Sequence, residues 1–82
     1  MYYLYILYSV SADKYYIGST EHLDARLSQH NTGRNKSTKH GIPWKIVYTE
    51  TFATRSEALK RENEIKRKKS RMYVEWLISS LG

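Results

Sequence analysis

Glu62 is an acid set among apolar residues. With helical residues spaced about 100° apart, Ala58 lies at 0°, Ile65 at about −20° and Leu59 at about 100°, and Glu62 falls between them at about 40°. A carboxylate on such a stripe is costly unless a cation, a metal ion or hydrogen bonds compensate it. An earlier helical segment places Arg26 and His30 beside Leu23 and Leu27, so a guanidinium and an imidazole share its sheet-facing side. Each has an ordinary structural explanation. Glu62 and Arg26 could form one ion pair, and His30 could be a core-edge histidine bonded to backbone. An arginine, a histidine and a carboxylate directed at one sheet are also a set that can handle charge and protons in one place.

That sheet is rich in tyrosine. Alternation puts Tyr3 and Tyr5 on one face of a first strand, with Leu4, Ile6 and Tyr8 on the other, and Tyr15 and Tyr16 on opposite faces of a second. Tyrosines alone are mostly packing residues with a wet hydroxyl. Beside Arg26, His30 and Glu62 they become candidate proton carriers. Gly18, closing the second strand, lets the backbone turn and lets another group approach closely.

Positioning these residues requires the following elements. Tyr2 to Val10 reads as a strand, Ser11 to Lys14 as a turn, and Tyr15 to Ile17 as its hairpin partner. Ser19 or Thr20 caps a helix with Glu21 and Asp24 in its first turn, running to about His30. Residues 32–43 hold two glycines and the single proline and form a loop, the segment expected to be mobile. Trp44 to Phe52 is a third strand. Thr54 and Glu57 make a capping box for a helix from Arg55 to Lys68. Ser70 caps a last helix whose apolar side is Tyr73, Trp76, Leu77 and Leu81. The order β-β-α-β-α-α predicts one α+β domain over residues 1–82, a small three-stranded antiparallel sheet flanked by helices in two or three layers.

A chain of 82 residues suffices for one domain, and the absence of cysteine excludes disulfides and thiolate metal sites. The N-terminal apolar run lacks the positive region and cleavage site of an export signal, and no run is long enough to span a bilayer, so a cytoplasmic protein is expected. The net charge is +6, and seven of the fourteen Lys and Arg lie between Lys60 and Arg71. Lys66, Arg67, Lys68, Lys69 and Arg71 form the dense group; Arg34, Lys36 and Lys39 form a sparser one in the loop. Nucleic acid is the leading partner for such patches, and a solvated basic face is the plain alternative.

Four elements in order then coincide with a known pattern. Tyr16-Ile17-Gly18 resembles the second half of the motif that names the GIY-YIG nucleases, and Tyr3-Leu4-Tyr5 stands where the first half belongs. Arg26, the His30-Asn31 pair and the run Ser56 to Glu62 resemble the later signatures. The resemblance covers essentially the whole chain, is nearest to short stand-alone members related to the incision domain of the bacterial excision-repair nuclease, and departs from the pattern at Tyr3 and Leu4. It implies that Glu62 holds one Mg²⁺ or Mn²⁺, that Arg26 binds the scissile phosphate, and that Tyr5 and Tyr16 line the site, one of them acting on the attacking water. His30 is implied as a further polar member. The expected activity is metal-dependent endonucleolytic hydrolysis of DNA in repair or recombination, with RNA a second possible substrate. Target choice is expected to come from DNA shape, a protein partner or homodimerisation. The competing expectation is a module that keeps the fold and binds nucleic acid without cutting.

Overall fold

Leu4, Tyr5, Ile6 and Leu7 are consecutive and each at most 1 % exposed, so strand β1 (Tyr2–Ser9) needs cover on both faces. This requirement sets the architecture. The computed structural model describes residues 1–80. β1 lies at the centre of a three-stranded antiparallel sheet of order β2-β1-β3, with β2 spanning Lys14–Thr20 and β3 Trp44–Phe52. Helix α1 (Leu23–Asn31) covers one face, where Tyr5, Leu7 and Trp44 pack with Leu23 and Leu27. Helices α2 (Arg55–Lys68) and α3 (Arg71–Ser80) cover the other, where Leu4, Ile6 and Tyr48 meet Ile65, Val74 and Leu77. The α+β class and the order β-β-α-β-α-α are as expected from the sequence, with the helices forming layers on both sides of the sheet.

Several boundaries differ from the expectation. β2 continues through Ser19 and Thr20, which pair with Leu4 and Tyr3. These two residues therefore do not cap α1. Its N-cap position is His22, without a side-chain cap, and the Thr20 hydroxyl oxygen accepts the His22 N–H at 3.0 Å. Glu21 consequently lies outside the helix, leaving Asp24 as the acid of the first turn. β1 ends at Ser9, and Val10 is exposed. Ladder hydrogen bonds to the central strand take precedence over a cap, because they satisfy two backbone groups each time a residue pair is added.

The helix faces also needed the tertiary structure. Leu59 and Trp76, expected on apolar stripes, are 46 % and 61 % exposed. α3 docks through Val74 and Leu77 instead, and Trp76 stacks on Tyr73 at 6.0 Å between ring centroids. Leu81 lies outside the described residues. Thr54 accepts the Glu57 N–H at 3.3 Å, but the Glu57 carboxylate takes the Thr54 hydroxyl, so only half of the expected capping box forms. Ser70 caps α3 by accepting the Tyr73 N–H at 3.1 Å.

A charge pair not foreseen in the sequence fixes α2 on the sheet. Arg61 donates through Nε and Nη2 to the two oxygens of Glu50 on β3, each at 3.0 Å, and Tyr48 donates to the same carboxylate. Burial works to raise the Glu50 pKa, yet the Arg61 and Tyr48 hydrogen bonds outweigh it and hold the carboxyl below its usual range. Arg61 precedes Glu62, so this bidentate clamp also sets where Glu62 emerges. No helix among the described residues is long and apolar enough to cross a membrane.

Candidate active site

The site is organised around Gly18. Tyr5 and Gly18 are cross-strand partners, and the Tyr5 ring lies over the glycine. A Cβ at position 18 would stand 2.5 Å from the phenol oxygen and 2.7 Å from Cζ, so any other residue would push the ring away. The glycine thus acts through close approach and not through an unusual φ. It lets a buried tyrosine extend its hydroxyl across the edge strand.

That hydroxyl is 3.1 Å from His30 Nε2, and His30 Nδ1 is 2.8 Å from the Thr38 hydroxyl. His30 is 1 % exposed, so the imidazole is a buried group with both nitrogens engaged. The partners are side-chain hydroxyls, not the backbone expected of a core-edge histidine. Tyr16 packs on the same imidazole with ring centroids 4.7 Å apart, and 6.4 Å from Tyr5. Burial, followed by the neighbouring Arg26 charge, lowers the His30 pKa, so the ring is neutral near pH 7. Burial first, then Tyr16, raises the Tyr5 pKa; the nearby Arg26 charge opposes this, and Glu62 adds to it. At rest Tyr5 is a protonated phenol.

Tyr5, Tyr16, Arg26 and His30 therefore come together on the α1 face. Glu62 does not share that face. It approaches from α2 on the opposite side of β2, where Ser19 alternates away from Gly18 and donates its hydroxyl to Glu62 Oε1 at 2.7 Å. Its other oxygen accepts from Lys66 at 2.6 Å, and the side chain is 13 % exposed. The Arg26–Glu62 ion pair considered from the sequence is not formed. The edge strand β2 separates the two, and one cleft is lined by both Arg26 and Ser19, the residue that holds Glu62.

Arg26 is exposed and stands between two clefts, each of about 330 Å³. One is bounded by Ser19, Thr20, His22, Arg55 and Leu59; the other by Arg34, Asn35 and Lys36. The loop residues Arg34 and Lys36 thus adjoin the site, whereas Lys39 lies on a short 3-10 turn, Lys39–Gly41. The loop is pinned: Trp44 Nε1 donates to the Thr38 carbonyl at 2.7 Å, and the Asn31 side chain exchanges hydrogen bonds with both backbone groups of Trp44. Of the helix-end cations, Lys66 holds Glu62, Arg71 is paired with Asp13 and Glu75, and Lys68 sits 5.3 Å over the Tyr73 ring. Arg67 and Lys69 line a separate cleft with Lys66 and Asn63.

Sequence reasoning missed Ser19, Thr38 and Arg55. Ser19 was legible in principle, since extending β2 by two residues places it opposite Gly18. Thr38 carried no signal, because its role depends on how the loop folds back on α1. Arg55 was read only as the start of a helix.

Tyr5→Phe and Tyr16→Phe should separate packing from chemistry. Tyr5→Phe leaves the buried His30 Nε2 without its partner and should cost about 1–3 kcal/mol. Tyr16→Phe should be closer to neutral in chemical denaturation, and at least one variant should lose cleavage activity. Two fully active variants would reduce both tyrosines to core residues.

The fold is a small three-stranded α+β domain with polar clefts at one sheet edge, and comparison with known proteins gives its class. A family model described as the GIY-YIG catalytic domain matches residues 1–74. The chain belongs to the GIY-YIG family. A UPF0213 protein of Streptococcus pneumoniae is 38 % identical over 76 residues, covering 92 % of this chain and 76 % of the relative. A UPF0213 protein of Staphylococcus epidermidis is 50 % identical over 52 residues, 62 % of this chain and 63 % of the relative, so that match spans under two thirds of its length. The solution NMR structure of a UPF0213 protein from Bacillus halodurans superposes with a TM-score of 0.60 at 34 % identity, covering 96 % of this chain and 84 % of that one.

Proposed function

We propose that this protein is a divalent-metal-dependent endonuclease that hydrolyses DNA phosphodiester bonds in repair or recombination. What supports this reading is a phenol backed by a neutral histidine and an exposed, unpaired arginine on the α1 side of the edge strand β2, with a carboxylate held by Ser19 on its other side. Arg26 has no carboxylate partner among the described residues. Its guanidinium is therefore available to two phosphate oxygens. Tyr5 and Tyr16 bound the α1 side, where the Tyr5 oxygen can accept a proton from water as its own proton passes to His30.

A single Mg²⁺ or Mn²⁺ fits the acid present. Glu62 already holds a cation, the Lys66 ammonium, and its other oxygen takes a Ser19 hydrogen bond, as an ionised carboxylate would. Lys66 is half-exposed and can swing into solvent. No cluster of three or more His, Asp or Glu suited to a metal occurs among the described residues, so Glu62 would be the principal protein ligand, with water and phosphate completing the shell. When bound, such an ion supplies positive charge to the phosphate and favours hydroxide at neutral pH. The rival reading, a non-cutting nucleic-acid module, is favoured by that same Lys66 contact, which satisfies Glu62 without a metal. Incubation of the protein with plasmid, branched and single-stranded DNA, in Mg²⁺, Mn²⁺ or EDTA, decides between them. Cleavage in metal and none in EDTA is expected; binding without cleavage in every condition would establish the rival.

The basic residues should act as phosphate contacts that position the duplex without reading its bases. Replacing Arg34 and Lys36 with glutamine should flatten the log–log salt dependence of DNA binding by about 0.9 per lost contact, and Arg67 with Lys69 should do likewise. Arg71→Gln should leave the slope unchanged, because that guanidinium is already committed to Asp13 and Glu75. A titration across salt concentrations checks this, and unchanged slopes in both double variants would leave these residues as a solvated face.

A further inference from the structure

Thr38 is a loop residue that is 1 % exposed, and its hydroxyl has two neighbours: His30 Nδ1 at 2.8 Å and the Asn35 carbonyl at 3.3 Å. In the observed geometry the hydroxyl donates to the Asn35 carbonyl, which also accepts the Thr38 N–H at 3.2 Å. The Thr38 oxygen must then accept from His30, which requires a proton on Nδ1. A neutral imidazole carries one N–H, so Nε2 presents a lone pair to the Tyr5 hydroxyl 3.1 Å away. The opposite tautomer would set an N–H against that phenol and leave the Tyr5 proton without a partner in a buried site.

We propose that Thr38 is a positioning residue: it fixes His30 as the Nδ1–H tautomer, which turns the Tyr5 proton toward His30 and leaves the phenol oxygen's other lone pair open to a second donor. The inference rests on the nuclease reading for its catalytic consequence, but the tautomer itself is a property of the free protein. It makes the loop between α1 and β3 part of the site, because Thr38 is held in place by Trp44 Nε1 on its carbonyl.

The test uses long-range ¹H–¹⁵N correlation NMR of the ¹⁵N-labelled imidazole, together with cleavage kinetics. Wild-type protein above neutral pH should show a protonated Nδ1 and an unprotonated Nε2 at His30. Thr38→Val, which keeps the shape and removes the hydroxyl, should shift His30 toward the Nε2–H form and lower kcat by about tenfold or more with KM nearly unchanged. Thr38→Ser should restore both the tautomer and most of the rate. A wild-type His30 in the Nε2–H form would overturn the proposal, as would a folded Thr38→Val that keeps the wild-type tautomer and kcat. A wild-type chain with the Nδ1–H pattern that cleaves nothing would instead sink the nuclease reading, and with it any role of Thr38 in a reaction.

Discussion

Glu62→Gln is expected to cut metal-dependent cleavage by roughly 10²-fold or more, since a bound cation is worth several kcal/mol to such a reaction. The fold should survive. Glutamine keeps the volume and a carbonyl oxygen that can still accept from Ser19, and the lost Lys66 contact is a half-exposed i,i+4 pair worth at most about 1 kcal/mol. Lys66 is left solvated, not stranded in the core. The two readouts must be taken together: cleavage rate in Mg²⁺ or Mn²⁺ and the midpoint of chemical denaturation. A variant that cuts at the wild-type rate removes Glu62 from the reaction. One that unfolds would make the carboxylate a structural partner of Ser19 and Lys66.

Arg26→Ala should lower the rate by roughly 10²- to 10³-fold, the size of effect seen when a donor aimed at developing charge is removed. Its stability cost should be small, because the side chain is exposed and makes no ion pair among the described residues. Arg26→Lys should recover only part of the loss. A guanidinium can hold two phosphate oxygens in a plane, and an ammonium offers the charge without that geometry. The substitution has a second effect in this site. The Arg26 charge favours the ionised form of Tyr5, so its removal should also make the phenol harder to deprotonate. Full activity in the lysine variant would mean that charge neutralisation alone is required.

The element order was legible in the sequence because strong local signals agreed. Caps at Thr54 and Ser70, the glycine-bearing loop and the alternation of β1 each pointed to one assignment, and the α2 boundaries matched those observed. The members of the candidate site stood out in the sequence as anomalies. Arg26, His30 and Glu62 occupy positions where periodicity demands apolar groups, and such placements have few explanations. What periodicity cannot give is depth and side. It placed three ionisable groups on one sheet without telling that Glu62 comes from the opposite face, that Leu59 and Trp76 stay exposed, or that Lys66 and Arg71 are already paired. Those facts depend on contacts between residues distant in sequence, such as Ser19 with Glu62 and Asp13 with Arg71. The His30 environment shows the same division: the histidine could be suspected from its helix face, but its two hydroxyl partners come from β1 and from a loop. Only the folded chain brings Tyr5 and Thr38 to opposite sides of one imidazole, and the direction of a hydrogen bond is set by what lies at both of its ends.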